Sequence, residues 1–175
     1  MYSVGFAMLT KVILLPVLSA TSTAWRKALS EVKALRHAVE VADKTGSKIT
    51  LVNIANPTEY MALAPEFLQE DSYEATALAN AENVLNKAEA LAKSLGATEI
   101  QRHITVSVKG ARDMAQQLVD YSAQNGADLL VLGTHGRTGL MHLLMGSFAE
   151  TVMRQTTLPL LIIRGTDEDV ENDDE

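Results

Sequence analysis

The 175-residue chain contains no cysteine. It therefore cannot form a disulfide framework or a thiolate metal site, and it has no cysteine nucleophile. Aromatic residues make up only 5% of the chain, whereas apolar residues make up 47%, which indicates a core packed mainly from Ala, Leu and Val. This length suits one domain with a sizeable core. The absence of cysteine favours an intracellular, cytoplasmic protein.

The chain also lacks the excess of basic residues that a nucleic-acid-binding surface requires. Its net charge is −7 at pH 7, and seven of the acidic residues lie in the terminal run of residues 167–175. Outside that run the acidic and basic residues balance, so nothing favours a polynucleotide partner. We predict that residues 165–175 form a disordered acidic tail, with a partner-binding acidic arm as the alternative.

No apolar run near the start of the chain is long enough to span a bilayer, which takes about 20 residues. The run that follows Lys11 ends at Pro16. It suits a buried strand better than a signal peptide, because the charged region before it is weak. Residues 1–10 are interpreted as an N-terminal extension, and no membrane partner is expected.

Strand and helix patterns alternate along the rest of the chain. Strands are predicted over residues 11–17, 48–54, 100–108, 128–132 and 158–163, and helices over residues 22–44, 69–95, 111–125 and 147–155. Residues 56–68, which contain Pro57 and Pro65, are predicted to be a loop. This alternation is typical of a three-layer α/β/α fold with a mostly parallel sheet. Such folds bind ligands at the carboxyl ends of the strands.

Pro159 lies inside the last predicted strand, residues 158–163. Proline cannot donate a hydrogen bond to a neighbouring strand, so this strand is predicted to lie at an edge of the sheet. An exposed apolar edge promotes aggregation. We therefore expect the edge to pair with a second copy of the chain across a two-fold axis, which makes the protein a homodimer.

A glycine-rich segment follows the fourth predicted strand. The apolar run of residues 129–132 leads into Gly133 and Gly136, and a further glycine, Gly146, precedes Ser147. Glycines let backbone N–H groups approach an anion, and a helix N-terminus adds unpaired N–H groups, so the segment predicts a phosphate site. Ser147 and Glu150 also form a capping-box pattern. Ser147 is thus either a cap alone or a cap that also contacts phosphate.

The spacing Gly-x2-Gly-x9-Gly-Ser, formed by Gly133, Gly136, Gly146 and Ser147, resembles the motif of the universal stress protein family. The resemblance extends over residues 11–164 and includes residues 34–39 of the first helix. It implies a five-stranded parallel sheet of the adenine-nucleotide-binding, Rossmann-like type that dimerises through its last strand. The implied function is that of a nucleotide-responsive stress or regulatory module.

The resemblance implies that the chain binds ATP, or AMP or ADP, with Mg²⁺ held largely by phosphate oxygens and water. At the adenine end it implies contacts from Pro16, Val17, Ile54 and Ala55. At the ribose and phosphates it implies contacts from Gly133, Thr134, His135, Gly136, Arg137, Gly146, Ser147 and Phe148. His135 and Arg137 are either phosphate partners or solvated polar residues. The four histidines have no metal-ligand spacing, so no protein metal site is expected.

The chain departs from the family pattern after the first strand. Nucleotide-binding members have an Asp there that contacts adenine, and this chain has Leu18 in that position. Losing one hydrogen bond from a carboxylate costs about 1.5–3 kcal/mol, so binding is expected to weaken rather than vanish. The alternative is a nucleotide-free interaction protein of the same fold.

The sequence does not predict an enzyme. No nucleophile stands beside a base, and no pair of carboxylates accompanies the glycine-rich segment. Slow ATP hydrolysis or autophosphorylation, with Ser147 as the acceptor, is a secondary expectation. An adenylyl-transferring ligase is the third alternative, but it would need a further substrate domain that the chain has no room for.

Overall fold

The computed structural model describes residues 11–15, 24–63, 70–135 and 147–165. In chain order the elements are β1 (Lys11–Leu15), α1 (Ala24–Thr45), β2 (Lys48–Ala55), α2 (Pro57–Leu63), α3 (Glu70–Ser94), β3 (Ile100–Val106), α4 (Ala111–Gln124), β4 (Leu129–His135), α5 (Ser147–Gln155) and β5 (Leu160–Gly165). Helices alternate with parallel strands, and the predicted α/β class is confirmed. The proposed N-terminal extension and residues 166–175 lie outside the described residues.

The strands form one sheet in the order β3-β2-β1-β4-β5, and every neighbouring pair is parallel. Val12 of β1 pairs with Ile49 on one side and Leu129 on the other, so β1 lies between β2 and β4. The chain runs outward from β1 through β2 to β3 and then returns to β4 on the opposite side of β1. The strand order therefore reverses at the carboxyl ends of β1 and β4, where ligands bind in open α/β sheets.

Helices cover both faces of the sheet. On one face, α1 and α3 pack over Ile49, Leu51 and Val131. On the other, α4 and α5 pack over a second apolar cluster that includes Val52 and Leu130. Because alternate residues of a strand point to opposite faces, a central strand covered on both sides must be apolar at nearly every position. This explains why the β2 sequence reads as a continuous buried run.

The segment after β2 differs from its prediction, because residues 57–63 form helix α2 rather than loop. Asn56 caps this helix: its side-chain Oδ1 accepts hydrogen bonds from the Thr58 backbone N–H at 3.1 Å and from the Thr58 hydroxyl at 2.5 Å. Pro57 occupies the first helical position, where a missing N–H costs nothing. The Asn-Pro pair thus begins a helix instead of a turn.

The fourth strand is longer than predicted. Its last three residues, Gly133, Thr134 and His135, continue the pairing with β5 instead of opening a loop. Glycine does not prevent a parallel strand from continuing when a neighbour supplies hydrogen bonds, and here β5 extends to Gly165. Gly133, the first glycine of the predicted glycine-rich segment, therefore belongs to the strand.

The last strand lies at the edge of the sheet, as predicted from Pro159, and is paired with β4. Pro159 itself precedes β5, which starts at Leu160. Its carbonyl oxygen accepts a hydrogen bond from the backbone N–H of Leu130 at 2.9 Å. Proline at this position uses its acceptor and needs no donor. Among the described residues, no helix is long and apolar enough to cross a membrane.

Candidate functional site

The predicted ligand crevice lies where β1 and β4 end side by side. Leu15, the last residue of β1, pairs with Leu132 of β4. Two connecting segments leave from this place: residues 16–23 lead from β1 to α1, and residues 136–146 lead from β4 to α5. Five predicted site residues belong to these segments and lie outside the described residues, namely Pro16, Val17, Gly136, Arg137 and Gly146.

Thr134 and His135 lie at the carboxyl end of β4. Their backbones pair with Arg164 and Gly165 of β5, so they belong to the sheet and not to the loop that follows it. Thr134 is half-buried. Both residues lie at the carboxyl end of the sheet, on the side of the predicted crevice.

Gly133 lies directly under helix α1. A Cβ placed on this residue would be 2.7 Å from the carbonyl oxygen of Ser30, 2.8 Å from its carbonyl carbon and 2.9 Å from the backbone nitrogen of Glu31. Ordinary contacts of a Cβ atom are 3.4–4 Å. The packing of α1 on β4 therefore requires glycine at position 133 whether or not a ligand binds there.

Ile54 and Ala55 end β2, and both side chains are buried, with exposures of 6% and 4%. Ile54 packs in the core beneath α4 and α5, whereas Ala55 packs on the opposite face against Ala77 and Ala81 of α3. The carbonyl oxygen of Ala55 accepts a hydrogen bond from the Ser107 N–H at 2.9 Å. Ile54 and Ala55, which were predicted to contact adenine, are therefore part of the hydrophobic core.

Helix α5 begins at Ser147, which is exposed, and Phe148 packs partly against the core beneath α4 and α5. The first N–H groups of a helix lack intrahelical partners and mark its positive end. The carboxylate of Glu150, the second member of the predicted capping box, pairs with an arginine within the helix. Oε1 of Glu150 accepts hydrogen bonds from Nε and Nη2 of Arg154, at 3.2 and 2.9 Å, one turn further along the helix. Ser147 itself is the first residue of the helix and is exposed.

A row of polar contacts that the sequence analysis did not identify joins β3 to α4. The Ser107 hydroxyl donates to Oδ2 of Asp113 at 2.6 Å, and the Thr105 hydroxyl donates to Oε1 of Gln117 at 2.7 Å. Nε2 of Gln117 also donates to Oδ2 of Asp113 at 2.8 Å. We call these contacts, together with the stacking of His103 on Tyr121, the polar seam. Its signal in the sequence is a polar residue at every second position from His103 on β3 to Ser107, just after the strand, and a polar residue or tyrosine at every fourth position of α4.

The polar seam shifts the pKa of several groups. The pKa of Asp113 lies below its ordinary value, chiefly because Ser107 donates a hydrogen bond to the carboxylate; burial opposes this shift, and Gln117 and Lys109 support it. Burial lowers the pKa of His103 and raises the pKa of Tyr121. His103 lies on β3, and Asp113 and Tyr121 lie on α4, whereas the predicted crevice lies between β1 and β4.

In the parts of the chain that the structure describes, no group of three or more His, Asp or Glu side chains is arranged to hold a metal ion.

The model of the universal stress protein family matches residues 16–164 of this chain. Universal stress protein MJ0531 of Methanocaldococcus jannaschii is 26% identical to it over 140 residues, which are 75% of this chain and 74% of the relative. Universal stress protein Rv1636 of Mycobacterium tuberculosis is 26% identical over 137 residues, which are 78% of this chain and 90% of the relative.

Solved structures show the same fold. The structure of MJ0577 of M. jannaschii has a TM-score of 0.65 at 19% identity and covers 91% of this chain and 99% of its own. A universal stress protein in complex with cAMP has a TM-score of 0.58 at 21% identity, covering 91% and 100%. The universal stress protein of Archaeoglobus fulgidus in complex with dAMP has a TM-score of 0.56 at 20% identity, covering 89% and 98%. Because the family model spans the chain from the end of β1 to the end of β5, the chain belongs to the universal stress protein family.

Proposed function

We propose that this protein binds an adenine nucleotide at the switch point between β1 and β4 and acts as a nucleotide-responsive regulatory module. The observation that carries the proposal is the pairing of Leu15 with Leu132, which brings the ends of β1 and β4 together. The segment after β1 and the glycine-rich segment after β4 leave from adjacent strands, and the second leads to the N-terminus of α5 at Ser147. This is the arrangement in which α/β sheets hold phosphates.

The class of ligand is proposed from the relatives. The structural neighbours named above include complexes with cAMP and with dAMP, and both ligands contain an adenine base, a sugar and one phosphate. The shared chemistry supports an adenine nucleotide as the ligand of this chain. We propose ATP, ADP or AMP, with Mg²⁺ held by phosphate oxygens where more than one phosphate is present.

The proposed contacts follow the elements. Backbone N–H groups at Gly136 and Gly146 and at the start of α5 would hold phosphate, aided by Arg137 and by the Ser147 hydroxyl. Thr134 and His135 would line the site from the end of β4. The base would lie toward Pro16, Val17 and the end of β2 at Ile54 and Ala55, whose side chains are buried, so that backbone atoms make the contact there.

A homodimer through β5 completes the proposal. Residues Leu160, Leu161, Ile162 and Ile163 form an apolar strand that is half-buried at the edge of the sheet. Pairing with a second copy would bury this edge. Because Thr134 pairs with Arg164, the end of β4 connects the nucleotide site to the proposed interface, and occupancy of the site would be felt by the partner. We propose a cytoplasmic regulatory protein, with slow ATP hydrolysis or autophosphorylation at most.

The test is isothermal titration of the full chain with ATP, ADP, AMP and cAMP in the presence of Mg²⁺, preceded by mass spectrometry of small molecules released on heating. We expect a dissociation constant at or below tens of micromolar for at least one of these nucleotides, or release of a co-purified adenine nucleotide. Replacing Gly146 by Leu should abolish the heat of binding. Replacing Gly96 by Ala, at the opposite end of the sheet, should leave it unchanged.

A second candidate function is a nucleotide-free interaction module of the same fold. Two observations favour it: Leu18 stands where nucleotide-binding members have an Asp, and the glycine at position 133 is accounted for by helix packing. Absence of heat at millimolar ATP, together with no released nucleotide, would establish this function in place of the first.

A further inference from the structure

We infer that Gly133 acts in the nucleotide site as a positioning residue: it lets α1 lie directly on the backbone of β4 and so sets the distance between the start of α1 and the end of β4, which border the proposed crevice. The inference rests on the proposed nucleotide-binding function. It gives the first glycine of the Gly-x2-Gly-x9-Gly-Ser pattern a role that requires no contact with the ligand.

The contact between α1 and β4 joins backbone to backbone. The nearest atoms to a Cβ on Gly133 are the carbonyl oxygen and carbon of Ser30 and the nitrogen of Glu31, and all three belong to the main chain of α1. A main-chain carbonyl inside a helix is held by the helix and cannot rotate away as the end of a long side chain can. A side chain at position 133 must therefore lift α1 as a unit.

The contact lies at the end of a closely packed stripe. Ser30 has no exposed surface, and Ala34 and Ala38, about one and two helical turns further along α1, are also fully buried against the sheet. Small residues along this stripe keep the helix axis close to the strands. Gly133 extends the same close approach to the carboxyl edge of the sheet, where the proposed crevice lies.

The position of α1 decides where the first connecting segment ends. Residues 16–23 run from the end of β1 to Ala24, the first residue of α1, and the contact with Gly133 lies about two helical turns after Ala24. On the other side, β4 continues only two residues beyond Gly133, to His135, before residues 136–146 begin. The contact thus lies close to the start of α1 and to the end of β4, and a shift of α1 away from β4 would widen the gap between these two ends.

The test compares substitutions that move α1 near the crevice with substitutions that disturb the fold elsewhere. Gly133→Ala inserts a Cβ under Ser30. Its control is Gly126→Ala, which places a side chain at a left-handed φ of 63° at the amino end of β4, with nothing within 4 Å of the new atom. Both substitutions should lower the melting temperature. Gly133→Ala alone should also lower affinity for ATP in calorimetric titration, by about tenfold or more.

A second pair of variants leaves position 133 untouched. Ala34→Val enlarges a fully buried residue one turn below Ser30, whereas Ala42→Val makes the same change at the opposite end of α1. Ala34→Val should raise α1 near the crevice and weaken ATP binding, although residue 34 lies a full turn inside the core. Ala42→Val should reduce stability without changing affinity. This pair of variants also tests the inference if Gly133→Ala does not fold.

Hydrogen exchange of the unliganded protein supplies the readout that does not depend on nucleotide. Gly133→Ala should accelerate exchange across residues 30–35 of α1. Wild-type exchange and wild-type melting in that variant, together with lost ATP binding, would show a direct ligand contact and overturn the inference. Equal ATP affinities in Ala34→Val and Ala42→Val would overturn it as well. Failure of the wild-type protein to bind any nucleotide would instead refute the proposed function, and the exchange data would still report the packing.

Discussion

The imidazole ring of His103 on β3 lies flat against the phenol ring of Tyr121 on α4, with the ring centroids 3.8 Å apart and the ring planes inclined by 11°. The pair lies at the end of the polar seam that is nearest the amino ends of the strands. Stacking of this kind buries one face of the imidazole, which is why the pKa of His103 is lowered. Burial therefore disfavours the charged form of the ring in the folded protein.

The stability of the protein should depend on the charge of His103. Its pKa is below 6.5 in the folded state and near 6.5 in the unfolded state, so the unfolded chain binds more protons as pH falls through this range. The free energy of unfolding is therefore expected to keep its full value above pH 6.5. It should decrease as the pH falls below 6.5 and through the folded-state pKa of His103. Urea unfolding at several pH values between 5 and 7.5 measures this slope.

Replacing His103 by Phe keeps a ring on Tyr121 and removes the titration. The variant should lose less stability than the wild-type protein between pH 7 and pH 5. Replacing His37, an exposed histidine on α1 that lies 3.4 Å from Glu40, by Gln is the matched control and should not reproduce that gain. An unchanged pH slope in His103→Phe would contradict the prediction.

The Ser107 hydroxyl should stabilise the ionised form of Asp113. It is the main cause of the lowered pKa of Asp113, so Ser107→Ala should raise that pKa toward 3.8. A carboxyl whose pKa is lowered in the folded state contributes stability that is present above pH 3.8. That stability is lost as the pH falls through the folded-state pKa. NMR titration of the carboxyl carbons measures the shift. Thr151→Ala, which removes a hydroxyl from α5, is the control and should leave the Asp113 titration unchanged.

Most of the architecture could be predicted because local signals agreed with the global fold. Three glycines that follow the ends of the predicted helices, Gly46, Gly96 and Gly126, all adopt positive φ, at 65°, 101° and 63°. That conformation is open to glycine and costly for other residues, so the sequence carries the information locally. The edge position of the last strand was likewise predictable, from the one residue that cannot donate a hydrogen bond there.

The misassigned features depend on contacts between distant residues. Gly133 was interpreted as the start of a loop, since nothing in the local sequence reveals that Ser30, about a hundred residues earlier, lies against it. The same holds for the polar seam, whose partners on β3 and α4 become visible once the helix is placed beside the strand. Helix α2 is different, because its Asn-Pro start was present in the sequence and had a second interpretation as a turn.

Ser147 offers a direct test of the phosphate site. It is exposed at the first position of α5, and its hydroxyl would contribute one hydrogen bond to a bound phosphate. Ser147→Ala should therefore weaken ATP binding by about threefold to tenfold, as calorimetric titration would show. Ser94→Ala removes another exposed serine near the end of α3, at the amino edge of the sheet, and should not alter affinity. Equal affinities in the two variants would assign Ser147 to the helix start alone.

The last prediction concerns the proposed dimer. Residues 160–163 of β5 are apolar and half-buried, and a charge placed among them would be costly to bury when a second copy pairs with this strand. Ile162→Lys should therefore convert a dimer into a monomer of 18.9 kDa in size-exclusion chromatography with light scattering. Gln101→Lys places the same charge on the opposite edge strand, β3, at a position already exposed, and should leave the dimer intact. A monomeric wild-type protein, or a dimer that survives Ile162→Lys, would exclude β5 as the interface.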